Sequence, residues 1–208
     1  MVSGGCRDVL VSNEVVSPRM IERLAALAKR ARVVVCVDDL GNVDDLSSAA
    51  QKYGVTIECL VEIDVGAGRC GVAPGEPAVE IALKISRAAG LKFAGLQSYQ
   101  GKAQHVADYA ERKAMIETAI ADTARTIGLL KAEGLECDIV AGAGTGTYQL
   151  EGTSRVYNEL QCGSYMFMDA DYQRVRDEHG EFLNEFENSL FVYTCLLYTS
   201  DAADEGLG

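Results

Sequence analysis

The chain alternates short, continuously apolar segments with amphipathic ones, and this alternation limits its fold more than any other feature. Val33–Val37 is apolar at every position and Ile57–Val65 at most positions, as strands buried on both faces are. Between such segments apolar residues recur at helical spacing, as at Ile21, Leu24 and Ala28. Strands separated by amphipathic helices form a parallel sheet with helical cover. The pattern therefore predicts an α/β protein, either a barrel or a doubly wound sheet.

Six strands are predicted, whereas a closed barrel of this kind needs eight. The predicted strands are residues 8–14, 33–37, 57–65, 93–99, 137–141 and 159–167. Because Met1–Gly5 resembles the end of a preceding helix, we expect the missing strands to lie upstream. Residues 1–186 are thus expected to be a partial barrel, and residues 187–194 a further strand that begins a second, β-rich domain. Residues 195–208 lack the pattern of the rest and are expected to be a non-native tail.

Charge and cysteine content argue against several classes of partner. The chain has 19 basic and 31 acidic residues, a formal charge of −12, which disfavours nucleic acid and anionic membranes as partners. No apolar run is long enough to span a bilayer, and no signal peptide is visible, so a cytoplasmic location is expected. Seven cysteines are scattered singly without CxxC spacing, which is typical of reduced thiols rather than disulfides or a zinc site.

Polar residues follow the predicted strands, at the sheet edge where α/β proteins carry their chemistry. Glu62–Gly71 turns on glycines and presents Arg69, which suits an anionic or phenolate oxygen or, alternatively, an ion pair with Asp64. Gly142–Thr147 offers unobstructed amides and two hydroxyls for a phosphate, or is a tight turn that needs glycine. It has neither the glycine that a dinucleotide fingerprint requires at Thr147 nor a P-loop lysine.

A third polar segment, Gly95–His105, follows the fourth predicted strand. Tyr99 and His105 could face the same site, where the imidazole would act as a base or proton shuttle. The alternative is that His105 is a solvent-facing helix cap. The second histidine, His179, lies in a charged stretch and is predicted to be a surface residue.

These segments together resemble the fold-type III pyridoxal phosphate enzymes. Within that class they are similar to the group of D-threonine aldolases, D-3-hydroxyaspartate aldolases and D-serine dehydratases, and most similar to the hydroxyaspartate aldolases. The resemblance extends from about residue 2 to residue 194. The strings that carry it are Val61–Gly71, Gly95–Gly101 with Gln104 and His105, Val140–Thr147, and Glu159–Asp169.

The resemblance implies an alanine-racemase-like (β/α)8 barrel, here with about six of its eight strands, and residue roles within it. Arg69 would lie beside the phenolic oxygen of pyridoxal phosphate, and Tyr99 and His105 on the substrate side. Gln161 stands where racemases of this fold have an arginine facing the pyridine nitrogen. The phosphate would be bound by Gly144, Thr145, Gly146, Thr147, Gly163 and Ser164.

The implied activity is a retro-aldol cleavage that depends on pyridoxal phosphate and a divalent cation. A small D-3-hydroxy amino acid, D-3-hydroxyaspartate or D-threonine, would give glycine and glyoxylate or acetaldehyde. In this family the Schiff-base lysine would lie upstream of Met1 and the metal ligands beyond Thr194. The lysines of this chain, Lys92 among them, are predicted to lie on helices or loops rather than at an equivalent strand end. The chain alone is therefore expected to be inactive, and its full-length parent to form a homodimer.

Two other functions stay open at this point. A dehydratase on the same scaffold would eliminate the 3-hydroxyl of D-serine or hydroxyaspartate. A non-catalytic barrel would bind pyridoxal phosphate without turnover, although Tyr99, His105 and the strand-like Ser189–Tyr193 argue against it. A nicotinamide enzyme is disfavoured because no acidic residue follows the glycine loop at the required position.

Overall fold

A computed structural model describes residues 1–183 and 185–193, which contain one six-stranded parallel sheet. The strands pair in chain order from β1 to β6, and every pairing is parallel. The strands are β1 (Asp8–Glu14), β2 (Arg32–Val37), β3 (Ile57–Glu62), β4 (Leu91–Ser98), β5 (Ile139–Gly142) and β6 (Glu159–Leu160). The helices are α1 (Pro18–Ala28), α2 (Leu40–Tyr53), α3 (Glu76–Arg87), α4 (Tyr109–Ala132) and α5 (Tyr148–Thr153). This arrangement is an incomplete α/β barrel, as predicted.

The main core lies between the sheet and its helices. Buried side chains of β2 and β3 pack against the inward faces of α1, α2 and α3. Helix ends follow their sequence signals: the side chain of Asp39 caps α2 by accepting the N–H of Asn42 at 2.9 Å, and Gly54 ends it in the left-handed region. These strong local signals explain why the predicted order of strands and helices is confirmed.

The structure differs from the prediction at the C-terminal part of the chain. Strand β6 ends at Leu160 rather than Phe167, because the chain turns into a short 3₁₀ helix at Ser164–Met166. No strand forms over residues 187–193, and the side chain of Tyr193 is almost fully exposed. Residues 194–208 lie outside the described residues. The assignment of residues 187–194 to a second domain, and of residues 195–208 to a foreign tail, stays a prediction.

One lysine lies in a strand, whereas the sequence predicted all of them on helices or loops. Lys92 is near the start of β4, at the edge of the sheet opposite the predicted site, where it pairs with Glu58 at 3.7 Å and Asp138 at 3.2 Å. The ammonium group of Lys92 is therefore engaged in ion pairs at that edge. No helix in the described part of the chain is long and apolar enough to cross a membrane.

Candidate active site

The glycine loop after β5 packs tightly against the turn that follows β4. A Cβ atom on Gly144 would lie 2.4 Å from the Oε1 atom of Gln104, and one on Gly146 would lie 2.3 Å from its carbonyl oxygen. Gln104 is fully buried, and its Oε1 atom accepts the N–H of Gly146 at 3.1 Å. The two glycines are thus required by this close approach, and not only by a turn.

Thr147 connects the loop to the buried carboxyl of Glu151. Its hydroxyl accepts a hydrogen bond from the Gln104 amide at 2.8 Å and donates one to Glu151 at 2.9 Å. Its backbone N–H donates to the carbonyl of Gly144 at 3.1 Å. Both donors of Thr147 are therefore used within the protein, and they hold the shape of the loop.

Three other N–H groups beside the loop are available to an anion. The hydroxyl oxygen of Thr145 accepts the N–H of Tyr165 at 3.0 Å, which joins the loop to the turn at Gly163 and Ser164. Within residues 1–183 and 185–193, no hydrogen-bond acceptor is found for the backbone N–H of Thr145, Gly163 or Ser164. The two segments predicted to bind phosphate are therefore neighbours and retain donors for it.

Arg69 lies at the end of the β3 loop with a half-exposed guanidinium group. Its Nη2 atom is 3.5 Å from Oε1 of Glu62, and its Nε donates to the sulfur of Cys70 at 3.2 Å. Asp64 does not pair with it: that carboxylate accepts the N–H groups of Gly68 and Gly66, each at 2.9 Å, and these bonds lower its pKa. The alternative Arg69–Asp64 ion pair is thus not what the structure shows, and Arg69 pairs with Glu62 instead.

Gln161 is fixed by a second glutamine. Its amide exchanges two hydrogen bonds with that of Gln97, at 2.7 and 3.0 Å, and Gln97 is almost fully buried in β4. The reciprocal pair links β4 to the segment after β6 and holds a neutral amide at the position where the resemblance places the pyridine nitrogen.

Tyr99 and His105 both lie near Tyr172. The ring centroid of His105 is 4.8 Å from that of Tyr172, while burial and the neighbouring Tyr172 raise the pKa of Tyr99. The Nδ1 atom of His105 is 2.5 Å from a carboxylate oxygen of Asp171. His105 ends a 3₁₀ turn and is half exposed, and Asp108 caps α4, so His105 is not the cap of that helix.

Four partner residues in this site carry no recognisable sequence signal. Asp171, Glu62, Gln97 and Glu151 each touch a predicted site residue or its loop. The contacts of Asp171 and Gln97 join different strands or loops, whereas those of Glu62 and Glu151 lie within one segment. Residue types alone do not reveal such pairs. The remaining histidine, His179, is well exposed, as predicted.

Replacing Glu151 with glutamine is expected to stabilise the chain at alkaline pH and to have little effect in acid. Burial raises the pKa of Glu151 to about 7, against an ordinary value of 4.5. Below the ordinary value both the folded and unfolded chains hold the proton. As pH rises the unfolded chain ionises first, so stability falls until the pH exceeds about 7, by about 3 kcal/mol in total.

Denaturant unfolding at pH about 5 and about 8 measures this difference. Glu80→Gln on the exposed face of α3 is the matched control and should change stability little at either pH. An equal effect of Glu151→Gln at both pH values would contradict the assignment.

Comparisons with known proteins agree with this geometry. Residues 7–171 match the family model described as alanine racemase, N-terminal domain. The chain is 51% identical over 197 residues to 3-hydroxy-D-aspartate aldolase of Paracoccus denitrificans, covering 93% of this chain and 51% of that protein. The crystal structure of D-threonine aldolase from Filomicrobium marinum superposes with a TM-score of 0.88 at 52% identity, covering 92% of this chain and 51% of that one.

The similarity to a dehydratase is more distant. D-threo-3-hydroxyaspartate dehydratase of a Delftia species is 21% identical over 168 residues, covering 80% of this chain and 44% of that protein. A likeness at that identity supports the fold alone. The chain spans about half the length of the curated relatives it matches.

Proposed function

Because the chain belongs to the alanine racemase N-terminal domain family, we propose that it forms the cofactor-binding part of a pyridoxal-phosphate-dependent aldolase. The full-length protein would cleave a D-3-hydroxy amino acid, D-3-hydroxyaspartate first, into glycine and an aldehyde. Two relatives that are 51% and 52% identical to the chain support this, since both are named as aldolases of D-3-hydroxy amino acids. The observation that carries the proposal is the pair of adjoining segments whose N–H donors at Thr145, Gly163 and Ser164 have no acceptor among the described residues.

The residues present fit the phosphate of the cofactor. The loop backbone at Gly144 and Gly146 is held in its shape by Gln104, with which a Cβ atom at either position would collide. Backbone N–H groups and the hydroxyl of Ser164 are donors suited to a dianion. Thr147 would contribute by holding the loop in place through Gln104 and Glu151.

Arg69 and Gln161 would orient the ring of the cofactor. When bound, pyridoxal phosphate supplies an electron-accepting ring that stabilises negative charge developing on the substrate. Arg69, already near its partner Glu62, would meet the phenolic oxygen with a permanent positive charge. Gln161 would face the pyridine nitrogen with an uncharged amide, whose orientation Gln97 fixes.

His105 would take the proton from the 3-hydroxyl of the substrate. The Asp171 carboxylate lies at Nδ1, so Nε2 would be the atom that takes up and releases the proton. Tyr99 would stand on the same side and keep its proton as a hydrogen-bond donor, because burial raises its pKa. A divalent cation on the substrate hydroxyl would assist deprotonation, with ligands outside this chain. We propose a cytoplasmic homodimer for the full-length protein.

Product analysis of the full-length protein tests this function. With pyridoxal phosphate, a divalent cation and D-3-hydroxyaspartate we expect glycine and glyoxylate in equal amounts, and no turnover by the 208-residue chain alone. A keto acid with ammonia would instead identify a dehydratase. Bound cofactor without any product would identify a carrier. Either result would overturn the aldolase assignment.

A further inference from the structure

A cluster of three metal-binding side chains lies apart from the glycine loop, at the C-terminal edge of the first three strands. Glu14 ends β1, Glu62 ends β3, and Cys70 follows in the β3 loop. Their ligand atoms all lie within 4.8 Å of one another, and the thiol of Cys70 donates to Oε1 of Glu62 at 2.9 Å. We call these residues the Glu–Glu–Cys cluster.

The cluster contains buried oxygens without partners. The side chain of Glu62 is only 5% exposed, and its Oε2 atom has no hydrogen-bond partner in the described part of the chain. The Oε1 atom of Glu14 is likewise buried without one. Arg69 approaches only the Oε1 atom of Glu62, at 3.5 Å, and its side chain is 60% exposed. Buried acceptors that face one another in this way require a cation or a proton between them.

We propose that the Glu–Glu–Cys cluster binds a first-row divalent cation of the zinc class through Sγ of Cys70 and one carboxylate oxygen each of Glu14 and Glu62. A thiolate with two carboxylates is a ligand set suited to such borderline cations rather than to magnesium or calcium. Ligand atoms around one tetrahedral zinc lie about 3 to 4 Å apart, so the present spacing needs only a small contraction. Binding would release the Cys70 proton to solvent.

This cation would be separate from the one proposed for the substrate hydroxyl, whose ligands we expect outside this chain. The sequence carries no sign of the cluster because Glu14 comes from the end of β1, whereas Glu62 and Cys70 come from the end of β3 and its loop. The competing arrangement is a proton shared by the carboxyl groups of Glu14 and Glu62. Burial and the adjacent Glu62 raise the pKa of Glu14 to about 7, so the two carboxyl groups together can retain one proton. An experiment with a metal probe separates these two arrangements.

Cobalt(II) is the probe, because its bond to a thiolate gives a charge-transfer absorption that carboxylate or surface binding does not. Titration of the reduced 208-residue chain is expected to give this absorption at one equivalent. Cys70→Ser should abolish it, and Glu62→Gln should weaken binding by more than about tenfold. Cys162→Ser is the matched control and should leave the titration unchanged, since Cys162 lies outside the cluster.

A second measurement needs no variant and so does not depend on whether a substituted chain folds. Zinc(II) should protect Cys70 of the wild-type chain from alkylation, mapped by peptide mass, while exposed Cys6 reacts at its usual rate. Absence of a thiolate absorption together with unprotected Cys70 would overturn the metal site and favour the shared proton. Retention of the absorption in Cys70→Ser would overturn it as well.

Discussion

Replacement of Gly95 by alanine is expected to prevent folding or to lower the free energy of unfolding by about 4 kcal/mol or more. Gly95 lies within β4 at φ +141°, and a Cβ atom there would be 1.8 Å from the carbonyl oxygen of Ile139 in β5. The obstructing atom is backbone, so no side-chain rotation relieves the contact. The two strands would have to separate where they are hydrogen-bonded.

The matched control for this change is Gly128→Ala. Gly128 is in the interior of α4, and a Cβ atom there has no other heavy atom within 4 Å. Alanine is the better helix former, so this substitution is expected to raise stability by about 0.5 to 1 kcal/mol. Urea unfolding of the three proteins measures both effects. A Gly95→Ala chain as stable as the wild type would show that β4 and β5 are not this close.

The approach of β4 to β5 also determines the geometry of the site. A Cβ atom on Gly142, at the end of β5, would lie 2.4 Å from the carbonyl oxygen of Ser98 in β4. The glycines at both ends of this pairing thus let the strands meet, and the loops that follow them carry Gln104 and Thr147 into contact. A separation of the strands would therefore disturb the phosphate-binding loop as well as the core.

The order of strands and helices could be predicted because its signals are local. A continuous apolar run identifies β2 and a mostly apolar one identifies β3, and the left-handed glycine after α2 marks the end of that helix without reference to distant residues. The end of β6 could not be predicted in this way, since the apolar residues after Leu160 also suit an extended strand. What ends β6 is the turn at Gly163, whose neighbour Tyr165 donates to Thr145 in another loop.

The site was predictable in residue type but not in pairing. Arg69, Tyr99 and His105 were identified because charged and aromatic groups at strand ends suit a polar ligand. Their partners depend on how the loops pack. Arg69 contacts Glu62 rather than Asp64, which is closer in sequence, because the Asp64 carboxylate already accepts hydrogen bonds from the amides of the turn. Such competition for hydrogen bonds cannot be seen in a linear sequence.

In the full-length protein, His105→Gln is expected to lower kcat/KM for D-3-hydroxyaspartate by about 10² to 10⁴-fold. His105 is the side chain here best placed to move the substrate's hydroxyl proton, since Asp171 at 2.5 Å and the ring of Tyr172 fix its orientation. Glutamine keeps the polarity but cannot take up a proton. Steady-state kinetics measure the loss, and His179→Gln, at the other and exposed histidine, is the control that should leave kcat/KM unchanged.

The positioning residue Asp171 separates proton transfer from cofactor binding. Its carboxylate contacts His105 and Arg174, and neither of these residues belongs to the glycine loop. Asp171→Asn should therefore keep the absorbance of bound pyridoxal phosphate while lowering kcat by about tenfold or more and altering its pH profile. If cofactor and activity were lost in proportion, Asp171 would be a structural support of the loop. If neither changed, His105 would act without it, because an imidazole oriented by Tyr172 alone would be sufficient.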